Sequence, residues 1–225
     1  MIVPSPAQLL RGLALAALVV AWAWVAHQGS AGAGNPDFSV AVATAPVAVL
    51  LVILLWRIGK PLGSALGGLA MLGLLAWFWP ALRQNVALLY YLQHLGTNLA
   101  LAALFGHTLF GSHEALVTQF ARMAHGGVVS AAQERYSRQV TIAWSIFFLA
   151  NGAVSSILFW LATPAAWSLF ANVLGTPLVA AMFVLEHLCR NHFLPPEDRS
   201  SVADTIRGYR EAMAARRQNT QARHP

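Results

Sequence analysis

The chain has 225 residues, 57% of them hydrophobic and only 10% charged, where a soluble domain carries about 25%. The apolar residues fall in long blocks, which excludes an ordinary soluble domain and points to a multi-span membrane protein. The formal charge of +6 sits at block edges and in the tail, so it reflects membrane topology rather than a nucleic-acid partner.

A helix needs about 20 apolar residues to cross the hydrocarbon. The first predicted span covers 7–26, with Arg11 near its start. An alternative reading makes this run a signal peptide with a small-residue cleavage site at Ala31-Gly32-Ala33. Two tryptophans in the run, Trp22 and Trp24, favour the span. The next spans are predicted at 38–56 and 61–79, both free of charge. Gly63, Gly67, Gly68 and Gly73 in the third span suit close helix approach.

The fourth span, 86–105, carries Tyr90, Gln93, His94, Thr97 and Asn98 in its first half. At 1.5 Å per residue, His94 lies about 13 Å from Asn85 and Asn98 about 20 Å, both near the bilayer middle. Such a stripe cannot face lipid cheaply. It is expected to form a seam with the fifth span (140–162), through Asn151 and Ser155, and the sixth (168–188), through Asn172 and Thr176. Interhelical hydrogen bonding explains the stripe most simply. His94, titratable near neutral pH, is the one weak catalytic candidate.

Between the fourth and fifth spans, Ser112 is expected to cap an amphipathic helix ending at Gly126-Gly127, with Leu116, Phe120 and Met123 on one face. Ser130 with Gln133 has the form of a capping box. The helix that follows carries Arg135, Tyr136 and Arg138, and Arg122 can join them. The arginines serve as topology anchors with no further role, or, as a cluster with Tyr136, form the candidate ligand site, because guanidinium groups suit a lipid phosphate or another phosphorylated group. Glu186 and Arg190 are spaced for an i,i+4 ion pair. Beyond Pro195-Pro196 comes a basic tail with a predicted amphipathic helix from Ser200 or Ser201.

The fold expected is therefore all-α: a helix bundle of about six spans over 1–194, with a connector at 111–138 and a tail at 195–225. With both termini inside, 13 of the 14 basic residues face the cytoplasm and only Arg83 lies outside. No metal or cofactor motif occurs. His107 with His113, and His187 with His192, lack i,i+4 ligand spacing, and the lone Cys189 reads as a small side chain near a span end.

Four strings in order, QHLGTN at 93–98, TQFAR at 118–122, RYSRQVTIAWSIFFLAN at 135–151 and WSLFAN at 167–172, resemble a family of small bacterial inner-membrane proteins. Its members are often encoded beside fatty-acid and polyketide-type enzymes that make aryl polyene pigments, and some carry the label "ketosynthase". The resemblance picks out Gln93, His94, Asn98, Arg122, Arg135, Tyr136, Arg138, Thr141, Trp144, Asn151 and Asn172. It implies an inner-membrane accessory protein for aryl polyene-type lipid assembly or transfer, with membrane lipids and cytoplasmic fatty-acid or polyketide-type enzymes as partners. A condensing enzyme would need a nucleophilic cysteine with two histidines in a large α/β fold, which this chain does not offer. An intramembrane acyl or head-group transferase using His94, and a small transporter, are the alternatives.

Overall fold

The computed structural model describes residues 6–57, 61–124 and 127–195; the predicted tail helix lies outside them. Every regular element among the described residues is helical: α1 (Pro6–Ser30), α2 (Pro36–Arg57), α3 (Pro61–Gln84), α4 (Val86–Gly106), α5 (Leu116–Ala124), α6 (Ala131–Leu161), α7 (Pro164–Ser168) and α8 (Gly175–Phe193). Among the described residues, five stretches are long and apolar enough to cross a membrane: Pro6–Ser30, Pro36–Arg57, Leu62–Gln84, Ala131–Leu161 and Pro164–Phe193. The protein is thus a membrane-embedded, all-α bundle. The remaining expected span, α4, has 21 residues and carries the polar stripe; it is not among these five.

Local chemistry sets the helix ends. The Asn35 side-chain oxygen accepts from the backbone N–H of Asp37 at 2.9 Å and of Phe38 at 3.3 Å, capping α2. Thr163 caps α7, and Pro164 fills the first helical position, where a missing N–H costs nothing. The sixth predicted span is longer than expected. It begins at Pro164, passes through a wider π-type stretch at Leu169–Leu174 and continues as α8. Pro177 lacks the N–H that would bond four residues back, so the irregular stretch lies just where regular pairing fails.

The contacts divide the chain into two compact units. The first holds the described residues up to 96 together with 154–177. Ala26, Ala43, Tyr90, Tyr91, Trp167 and Ala171 are buried together there. Tyr91 stacks on Phe159 at 4.2 Å between ring centres, and Trp167 meets the Phe159 ring edge-on at 5.3 Å. Gly29 lets α1 approach α2: a Cβ there would sit 2.9 Å from Ser39 Cβ. Gly67 plays the predicted packing role, facing Leu55 of α2, while Gly68 and Gly73 have open space beside them. Asp37 joins α2 to α3 by accepting from Trp79 Nε1 at 2.7 Å and from Arg83 Nε at 2.9 Å.

The second unit holds 97–153 and the described residues from 178 onward. Ala102, Val140, Trp144 and Phe148 form its core, and Trp144 also packs on Phe183 of α8 at 4.8 Å. The connector differs from expectation. Its helix starts at Leu116, and Thr108 rather than Ser112 supplies the cap, its hydroxyl accepting from Leu116 N–H at 3.0 Å. Thr141 of α6 accepts from the next N–H, of Val117, at 3.2 Å. The buried face of α5 is Thr118 and Ala121, while Phe120 of the predicted apolar stripe is exposed. Small residues allow close packing there, and Leu116 and Met123 of the same stripe are half-buried. Ser130 caps α6 as predicted, accepting from Gln133 N–H at 3.1 Å.

Candidate lipid-facing site

The four residues of the predicted ligand cluster separate into two kinds. Arg122 donates to Glu114 through Nε, at 2.9 Å, and through Nη2, and Nη1 reaches the Gly127 carbonyl at 3.1 Å. The hydrogen bond to Glu114 raises the Arg122 pKa further above its usual range, with added attraction from Glu114 and Glu134. Tyr136 is likewise engaged, donating to the Glu186 carbonyl at 3.0 Å. Arg135 and Arg138 are exposed on α6. Arg138 donates to the Leu109 carbonyl at 3.0 Å, and among the described residues neither arginine is ion-paired with an acid.

Beside them lies a groove between α6 and α8. Its volume is about 220 Å³, and Val140, Ala143, Met182 and Leu185 form much of its apolar wall. Tyr136, Gln139 and Glu186 give it a polar end, and Cys189 and Phe193 complete the α8 side. Glu186 is nearly enclosed, with 9% of its side chain exposed, and accepts from Arg190 Nε at 2.9 Å and Nη2 at 2.7 Å. The predicted i,i+4 pair is therefore present. It is also desolvated, which makes each partner dependent on the other.

The predicted polar seam meets α2 in addition to the sixth predicted span. Tyr90 OH donates to the Ser39 carbonyl at 3.3 Å, and Gln93 Nε2 to the Ala43 carbonyl at 3.0 Å, so this part of the stripe meets α2. A helical carbonyl has a second lone pair to offer, and no side-chain pattern in α2 announces it. His94 lies edge-on to Phe170 at 6.2 Å. Asn98 is buried, and Thr97 of the same stripe is exposed. Asn151 donates to the Phe147 carbonyl of its own helix at 2.9 Å, so this amide serves α6 itself.

Asn172 belongs to a polar knot that the sequence reading missed. It donates to Ser30 at 2.9 Å and to Ser168 at 3.2 Å, while His27 Nδ1 lies 2.7 Å from Ser168 Oγ. The histidine–serine distance is that of a base and its nucleophile. Ser168 is fully buried, however, and its oxygen also contacts Ser30 at 2.7 Å. A substrate atom has no approach to it, so the knot serves as a fastening between α1 and the α7 region. Hydroxyls at helix ends were the available signal, but such residues are common there. Comparisons with family models, with curated proteins and with solved structures find no match.

Proposed function

We propose that the chain is an integral-membrane accessory protein that holds an anionic lipid head group on Arg135 and Arg138, in the assembly or transfer of aryl polyene-type lipid at a bacterial inner membrane. The observation that carries the binding part is the division among arginines. In the second unit Arg122 and Arg190 are each held by a carboxylate, whereas Arg135 and Arg138, three residues apart on α6, are exposed and without an acid partner among the described residues. Guanidinium groups so placed are available to a phosphate or carboxylate from outside the fold. The pigment context rests on the four strings that resemble the aryl polyene-associated family.

The test is replacement of Arg135 and Arg138 together by glutamine, followed by mass spectrometry of membrane lipids and measurement of protein level. A fall in polyene lipid, or accumulation of an intermediate, at unchanged protein level is expected. Normal output at normal protein level would overturn the reading. His94→Gln separates the transferase alternative: it leaves an accessory protein's output largely intact and abolishes the product of an enzyme that uses His94 as base.

A further inference from the structure

We infer that the groove between α6 and α8 seats one acyl chain of an anionic bilayer phospholipid, with its head group at Arg135 and Gln139. The inference rests on the head-group reading above and extends it to a complete lipid site. Arg135 and Gln139 are i,i+4 neighbours, so their side chains meet on one surface of α6. Gln139 lines the groove's polar end, and Ala143, one turn further, lines its apolar part. From Tyr136 to Ala143 the trench follows α6 for about 10 Å, and from Met182 to Phe193 it follows α8 for about 16 Å.

Charge and shape support this occupant. A bare carboxylate at the polar end would repel an anionic head group, but Glu186 is already held by two hydrogen bonds from Arg190. That pair is locally neutral, so it leaves no uncompensated acid at the polar end, and the exposed guanidinium of Arg135 lies one turn from Gln139. Ala143 leaves depth in the wall where a larger residue would close it. Leu185 and Phe193 are 57% and 69% exposed, so a chain can enter sideways from surrounding lipid without a portal. Lipid tails gain little hydrophobic energy by exchanging one apolar surface for another. Selectivity must therefore come from the charge-assisted contact at the mouth.

Cys189, the single cysteine, is exposed and lines the groove, so its alkylation reports occupancy without any added label. The full chain in detergent would be titrated with phosphatidylglycerol or with phosphatidylcholine of the same chains. The readouts are the rate of Cys189 alkylation by N-ethylmaleimide and lipid retention in native mass spectrometry. Phosphatidylglycerol is expected to slow alkylation and be retained about tenfold better, the effect of one charge-assisted contact. Ala143→Phe, and separately Leu185→Trp on the exposed wall should the first variant fail to fold, should remove the protection. Arg135→Gln should erase the preference between lipids.

If both groove variants keep wild-type protection and retention, the groove inference falls and the head-group reading stands. If the groove variants lose protection while Arg135→Gln with Arg138→Gln keeps the full preference, the head-group reading falls and the groove remains a chain site. Equal protection by both lipids in the wild type would overturn the choice of an anionic occupant.

Discussion

Glu186 accepts two hydrogen bonds from Arg190 and faces the Tyr136 hydroxyl while exposing only 9% of its side chain. Removing one member of such a pair strands a buried charge, at a cost of about 3–5 kcal/mol. Glu186→Gln and Arg190→Gln should therefore each lower the unfolding midpoint in detergent, and the double variant should lose less than the sum of the two. Additive losses would show that the pair is not coupled. The pair itself was legible in the sequence, because four residues on a helix make one turn. Its third partner was not: Tyr136 lies 50 positions away, and spacing along a chain carries no information about a neighbour brought in by packing.

Among the helices, glycine positions separate tight contacts from open faces. Gly29→Ala places a Cβ 2.9 Å from Ser39 Cβ, and α1 and α2 must part, costing about 1–3 kcal/mol. Gly68→Ala meets open space and should instead gain up to about 1 kcal/mol from helix propensity. Thermal unfolding of the two variants should move in opposite directions. Thr108→Ala removes the acceptor for the first N–H of α5 and should cost about 1 kcal/mol, seen as faster hydrogen exchange confined to α5. Helix existence was readable from apolar run length, and the cap at Ser130 from local residue type. The cap of α5 was not, because Thr108 reaches it across a loop. The α2 partners of Tyr90 and Gln93 are backbone carbonyls, which every residue possesses and no sequence pattern marks.

For the molecule as a whole, composition alone revealed a membrane-embedded helical bundle, since long uncharged runs have few other uses. The proposed orientation, with both termini inside, follows from the arginine distribution and has a direct test. In a Cys189→Ser background, Ala33→Cys should react with an impermeant maleimide added to intact cells, and Ser112→Cys only after lysis. The opposite pattern would invert the assignment. The candidate site was legible in part. Arg135 and Arg138 stood out as charges beside a span, but the groove next to them depends on Ala143 facing Met182 and Leu185, ordinary apolar residues whose meeting only the packing of α6 on α8 reveals.

The fastening of α1 has a consequence for biosynthesis. Its buried residues are Ala26, Gly29 and Ser30, and Ser30 is tied to Ser168 and Asn172, 138 and 142 positions later. At about 5–20 residues per second, a ribosome takes roughly 7–28 s to cover that distance. The α1 helix thus waits in the bilayer for partners made well after it. A nascent chain halted before Ser168 would present an unfinished helix to the cell's quality-control proteases.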